Sequence, residues 1–248
     1  MLKKYQALLL PSVWPDRSTL GLILTPLLIA LILLLLDRFG IQRGYYAYFS
    51  DTALYDGITS GQPAFVAQLH FSLSCLLLFV VVPLLFHLLL PVKQIYRYGL
   101  SLQAAREHFP IYGLLLGIML PVLWLVSSYP EFNQFYPMYK PEGLSDWLLY
   151  EVIYLLQFFA VEFFFRGFCL FRLEKIAGLY AIVLMVIPYA LIHIYKPLPE
   201  AIGSIAAGLI LGYLAIKTRS IWPGLFVHGG VAFSMDLFSL IRNEWFGG

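Results

Sequence analysis

The stretch STLGLILTPLLIALILLLL, Ser18–Leu36, contains 19 residues and not one charged side chain. A helix needs roughly 20 apolar residues to cross the hydrocarbon core of a bilayer, which is about 30 Å thick. The stretch therefore predicts a membrane-spanning helix. The composition of the whole chain agrees, because 60% of its residues are hydrophobic and only 12% are charged, whereas soluble domains carry about 25% charged residues.

Further apolar stretches of similar length follow along the chain. The segment Gly99–Phe109 is too polar to cross a membrane and predicts a short helix at the interface. The sequence thus predicts an all-α polytopic membrane helix bundle of about 7–8 transmembrane helices, folded as a single integral membrane domain over residues 1–248. The predicted spans are Ser18–Leu36, Phe65–Leu90, Pro110–Ser128, Trp147–Leu170, Leu179–Tyr195, Ala201–Ile216 and Ile221–Ile241.

The distribution of charge predicts the orientation and excludes one class of partner. With the N-terminus inside, ten Lys and Arg residues lie in inner segments and five in outer ones, as the positive-inside rule requires. This predicts a bacterial cytoplasmic (inner) membrane protein with its N-terminus inside. A net charge of +2 without a basic block gives no reason to expect nucleic acid as a partner. Cys75 and Cys169 lie in apolar runs and are predicted to be free and buried.

Ionisable residues inside the predicted spans are the candidates for function, because a charge in the bilayer centre costs a few kcal/mol on insertion scales. Glu162 and Arg166 are four residues apart in EFFFRG and share one helix face. They are either a structural ion pair or a general base held ionised by a cation. His193, His228 and Asp236 complete the set of candidate catalytic residues.

The order of these residues resembles the CAAX-protease and bacteriocin-processing family (CPBP or Abi) of intramembrane endopeptidases. The resemblance rests on EFFFRG, then Tyr189 four residues before His193, then the Gly-rich segment ending in SIWPGLFVHGG at His228. It covers residues 147–241, whereas residues 1–146 carry no recognised motif. The resemblance implies an all-helical peptidase core. It also implies that a glutamate and the first histidine activate a water, while the second histidine and an asparagine bind the oxyanion.

The chain departs from the family pattern at two positions. The family carries Glu-Glu before its arginine, but here the first position is Val161 and only Glu162 is acidic. The asparagine position, four residues after His228, is Ala232. Either Glu162 takes over as base, rotated about 100° around the helix from Val161, or Asp236 supplies the missing polar group, or the chain binds without cutting.

Three functions remain open at this point. The first is a glutamic-type intramembrane peptidase that acts on a peptide or membrane-protein substrate within the lipid bilayer, without a cofactor. A zinc-dependent variant ranks lower because the sequence contains no His-Glu-x-x-His motif. The second is a catalytically silent relative that acts as a membrane scaffold or immunity-like protein. The third is a proton-coupled carrier, which the lack of an inverted repeat disfavours.

Two geometric expectations follow from the predicted spans. Glu162 lies near the middle of the fourth span, whereas His193 lies near the outer end of the fifth. A kink at Pro188 or a tilted helix is therefore needed to bring them together. Residues Glu131–Asp146 are predicted to form an outer loop near the substrate entry.

Overall fold

The computed structural model describes residues 15–48, 63–92 and 97–244. The prediction of an all-α fold is confirmed, since these residues form helices and no strand. The helices are α1 (Arg17–Gly40), α2 (Gln42–Tyr48), α3 (Pro63–Leu89), α4 (Leu102–Arg106), α5 (Phe109–Val126), α6 (Pro130–Phe135), α7 (Leu144–Glu162), α8 (Leu170–Ala177), α9 (Ala181–Leu191), α10 (Leu198–Thr218) and α11 (Trp222–Arg242).

The membrane-spanning character of the chain is carried mainly by five of these helices. Within the described residues, α1, α3, α5, α10 and α11 are long and apolar enough to cross a bilayer. Their outer faces expose large side chains such as Leu27 and Leu88, at 66% and 74%. Exposed apolar surface of this extent fits contact with lipid rather than water.

The fourth and fifth predicted spans differ from the other five. The fourth consists of α7 and α8 joined by a π-helix, Phe163–Cys169, and its α7 segment contains three acidic residues. The fifth is shorter than expected, because α9 has only 11 residues and ends at Leu191. At 1.5 Å per residue, a helix of this length measures about 16 Å, roughly half of the hydrocarbon core. These two elements carry most of the candidate site.

Glycines let several helices approach closely. A Cβ on Gly208 would lie 2.9 Å from Val186, and a Cβ on Gly212 would lie 2.9 Å from Met185, so α10 packs directly on α9. A Cβ on Gly230 would lie 2.8 Å from Leu116, where α11 packs on α5. Small residues at such crossings are the usual device for close packing in membranes.

An aromatic cluster fills the core around the π-helix. The rings of Phe79 and Phe164 stack with their centroids 4.6 Å apart, and Phe165 packs edge-on against the same Phe79 ring at 5.5 Å. Both cysteines, Cys75 and Cys169, are buried and free, as predicted. The segment predicted to form a short interfacial helix contains the short helix α4. Gly99, just before it, accepts a hydrogen bond from the backbone N–H of Ile221.

Candidate active site

The sequence EFFFRG lies at the junction between α7 and the π-helix. Every residue of Phe163–Cys169 is buried, and single-turn π segments inside α-helices occur frequently at functional sites. A Cβ on Gly167 would lie 2.6 Å from the carbonyl oxygen of Tyr98. Only glycine therefore fits at this position, and the backbone at Tyr98 supports the π-helix directly.

Glu162 connects two other candidate residues. Its side chain is completely buried, and its Oε1 lies 3.0 Å from Nη1 of Arg166 and 2.9 Å from Nδ1 of His228. Its second oxygen, Oε2, has no hydrogen-bond partner within the described part of the chain. A Cβ on Gly224 would lie 2.9 Å from that oxygen, so α11 approaches the carboxylate through a glycine.

Arg166 is held between a carboxylate and an aromatic ring. Its guanidinium carbon lies 3.9 Å from the centroid of the Tyr189 ring, and its side chain is 1% exposed. A buried cation over a tyrosine face is attracted by the ring quadrupole, by about 2 kcal/mol or more when desolvated. The Glu162–Arg166 pair is thus tied to α9 through Tyr189.

The two histidines meet beside this pair. Their ring centroids are 6.4 Å apart, and the planes are inclined by 26°. Pro188 lies within α9, and His193 follows the end of that helix at Leu191. The early end of α9, together with α11, brings His193 to His228 and hence to the Glu162 cluster.

The partners of the histidines fix their tautomers. Nδ1 of His193 lies 2.9 Å from the carbonyl oxygen of Tyr189, which can only accept, so this nitrogen carries the proton. Nδ1 of His228 faces the Glu162 carboxylate in the same way. When both rings are neutral, each therefore has its lone pair on Nε2.

A cavity of about 1220 Å³ lies against the histidines. His193 and His228 both line it, and so do Val161 and Ala232, the two positions that depart from the family pattern. The remaining wall is largely apolar and comes mainly from α1, α3, α5, α7, α9, α10 and α11. Glu162 is fully buried and stands behind this wall. The His228 imidazole, which contacts this carboxylate and lines the cavity, therefore lies between the two.

Asp236 does not join this cluster. It is completely buried on α11, beside Glu151 and Tyr150. None of its described contacts is with Glu162, His193 or His228. Its part in catalysis stays a prediction.

Several polar residues of the cavity wall were not singled out by the sequence reasoning, and two of them lie on α7. Tyr154 and Gln157 both line the cavity from α7. Oε1 of Gln157 accepts a hydrogen bond of 3.2 Å from the Gln68 side chain on α3, which leaves its amide N–H₂ for the cavity. The sequence offered one signal for Gln157, because it is an amide side chain in an apolar part of the helix. It lies four residues before Val161 and therefore on the same helix face.

In the stretches 15–48, 63–92 and 97–244, no group of three His, Cys, Asp or Glu side chains is close enough to hold a metal ion.

The fold and the site together define a class: an all-α membrane bundle with a buried carboxylate–imidazole group beside a large apolar cavity. Residues 143–234 match the family model described as Type II CAAX prenyl endopeptidase Rce1-like. This match covers less than half of the chain. The match supports the resemblance to the CAAX-protease family, and with it the general class of membrane protease. No curated protein and no solved structure matches the chain significantly.

Proposed function

We propose that the chain is an intramembrane peptidase that hydrolyses a peptide bond of a membrane-associated or leader-peptide substrate. The water is activated by the Glu162–His228 pair together with His193. One observation carries this proposal: His193 and His228 line the same cavity, and the partner of each fixes its proton on Nδ1. Two imidazole lone pairs at one cavity wall are suited to hold and deprotonate a water.

His228 is the general base in this mechanism. The Glu162 carboxylate accepts a hydrogen bond from its Nδ1 and stabilises the imidazolium that forms when Nε2 takes a proton from the attacking water. The imidazolium then gives this proton to the amide nitrogen as the C–N bond breaks, which releases the amine and the new carboxylate. This is the role of the buried carboxylate in other carboxylate–histidine systems. Arg166 keeps Glu162 ionised and oriented through the 3.0 Å ion pair.

The resemblance implied a different pairing, in which a glutamate acts together with the first histidine. Val161, the position of the missing family glutamate, lies on the cavity wall. Glu162, one residue further around the helix, instead faces His228 and Arg166. The carboxylate therefore supports the base and does not contact the water itself.

Gln157 is the proposed donor to the oxyanion. An amide N–H₂ facing the cavity supplies hydrogen bonds where negative charge develops. His193 accepts a hydrogen bond from the water and orients it. The peptide enters the apolar cavity, and residues Glu131–Asp146 contribute to the entry through Tyr136, which lines that cavity. We place the protein in a bacterial inner membrane with its N-terminus inside.

The proposal is tested by cleavage of candidate membrane and leader peptides by the purified protein in lipid nanodiscs. Glu162→Gln, His193→Ala and His228→Ala should each remove most of the activity of the folded protein. Glu151→Gln and His70→Gln are matched controls, since both residues are buried and neither lines the cavity. The controls should retain activity. Equal activity of wild type and all three site variants contradicts the proposal, and inhibition by a chelator would instead indicate the metal-dependent variant.

A silent relative remains the second candidate, and one observation favours it. Val161 and Ala232 present apolar side chains to the cavity where the family pattern places a glutamate and an asparagine. A binding protein would capture its partner equally well with or without His193 and His228. Cleavage by the wild type in the assay above excludes this candidate.

A further inference from the structure

Arg172 is a buried cation at the end of the bundle where α1 begins. Its Nε donates a 2.9 Å hydrogen bond to Oγ1 of Thr25, and its Nη2 donates a 3.3 Å hydrogen bond to the carbonyl oxygen of Leu90. The rings of Phe86 and Phe168 each lie 5.0 Å from the guanidinium carbon. Its Nη1 is buried and has no hydrogen-bond partner within the described part of the chain.

The described residues supply no anion to balance this charge. None of the ion pairs among them involves Arg172, and the nearby Glu174 is paired with Arg219 at 2.5 Å. A buried charge without a partner is strongly unfavourable in a membrane protein. Within the described part of the chain, the charge of Arg172 is therefore not balanced by an acidic side chain.

Two more unpaired polar groups lie next to Arg172. Within the described residues, Nδ1 of His87 and the hydroxyl of Tyr98 are buried without a hydrogen-bond partner. Their rings meet edge to face with centroids 5.2 Å apart, and both groups experience the charge of Arg172. His87 is only half-buried, so the group can be approached from its side.

The backbone holds the Tyr98 ring in place. Tyr98 has a φ of 52°, in the left-handed region, and its carbonyl oxygen packs against Gly167 of the π-helix. Its ring also lies 5.7 Å from that of Phe168. A tyrosine fixed in this way keeps its hydroxyl beside the guanidinium of Arg172.

We propose that Arg172, His87 and Tyr98 form a binding site for one phosphate group. Phosphate oxygens accept hydrogen bonds from all three groups, and guanidinium is the side chain best matched to phosphate geometry. Basic pockets between transmembrane helices at the membrane surface bind phospholipid headgroups. The phosphate belongs either to a phospholipid or to a soluble phosphate. None of the three residues lines the cavity of the candidate active site, so the inference does not depend on the proposed function.

The site is tested by measuring the melting temperature of the purified full chain in a neutral detergent. The probes are dihexanoyl phosphatidic acid, inorganic phosphate and, as a phosphate-free control, dihexanoylglycerol. We expect a concentration-dependent rise in Tm with dihexanoyl phosphatidic acid and none with the glycerol lipid. Tyr98→Phe removes one donor and should weaken binding about tenfold, the typical effect of a hydrogen bond to a charged group.

The control variant is Tyr112→Phe, which removes another buried hydroxyl that has no hydrogen-bond partner among the described residues. It should bind like wild type. Arg172→Gln should abolish binding. If Arg172→Gln fails to fold, the comparison of wild type with Tyr98→Phe still decides the test. A rise in Tm with dihexanoyl phosphatidic acid alone identifies the ligand as a phospholipid. A rise with both phosphate probes shows that the phosphate group alone is sufficient for binding. No response to either phosphate probe, or equal binding by wild type and Tyr98→Phe, overturns the inference.

Discussion

Glu162→Gln is the substitution that separates the proposed mechanism from a purely structural ion pair. The glutamine keeps the shape of the side chain but removes the negative charge that faces Arg166 and His228. Its amide N–H₂ can donate to Nδ1 of His228, which then carries its proton on Nε2. A histidine in that tautomer cannot accept a proton from water.

The expected loss of activity follows from this tautomer change. In a carboxylate–histidine system of known mechanism, the equivalent amide substitution lowers kcat about 10⁴-fold. We expect a decrease of about 10³-fold to 10⁴-fold for Glu162→Gln, because the contact with His228 is of the same type. A smaller decrease, about tenfold or less, would indicate that Glu162 is not coupled to the base.

Stability must be measured alongside activity, because the same substitution leaves Arg166 buried without a counter-charge. Breaking a buried ion pair from one side costs about 3–5 kcal/mol, against a total stability of about 5–15 kcal/mol. The double variant Glu162→Gln with Arg166→Met removes both charges. It should recover most of the lost free energy of unfolding while it stays inactive in peptide cleavage.

The assay combines peptide cleavage in nanodiscs with unfolding by SDS titration. Glu151→Gln is the matched control on the same helix, because Glu151 is 3% exposed and its Oε1 accepts a hydrogen bond from Trp147. It should retain activity. A double variant that cleaves as fast as wild type would refute the reasoning, since the carboxylate would then have no role beyond neutralising Arg166.

Three further substitutions give separate tests. His193→Ala should lower kcat at least about 10²-fold in the cleavage assay. It should lower the melting temperature no more than the control His70→Ala does. Gly224→Ala places a Cβ 2.9 Å from Oε2 of Glu162 and should lower kcat. Gly117→Ala is the control, because a Cβ there meets nothing within 4 Å and Gly117 does not line the cavity. Gln157→Leu should lower kcat about 10²-fold to 10³-fold at unchanged KM if its amide binds the oxyanion.

The helical fold could be predicted from sequence because each long apolar run has one stable solution in a bilayer. The first span was predicted as Ser18–Leu36, and the observed helix, Arg17–Gly40, covers it completely. The fifth was predicted to reach Tyr195 but ends at Leu191. Apolarity alone does not show where a helix stops when the following residues are also apolar, as in LIHIY.

The candidate site was only partly predictable. The motif order identified Glu162, Arg166, His193 and His228, and the structure brings these four together. The motif order could not show which histidine the Glu162 carboxylate faces, because that depends on how α11 packs on α7. Gln157 was overlooked because its significance comes from the cavity, which no local pattern reveals.

The most direct test of the central claim is the incorporation of heavy oxygen from labelled water into peptide products. Wild-type protein and a His193→Ala, His228→Ala double variant are incubated in nanodiscs with a library of membrane and leader peptides, and new C-termini are identified by mass spectrometry. The account predicts new C-terminal carboxylates that carry heavy oxygen with wild type alone. Labelled products in equal amount with both proteins, or none with wild type, would contradict it.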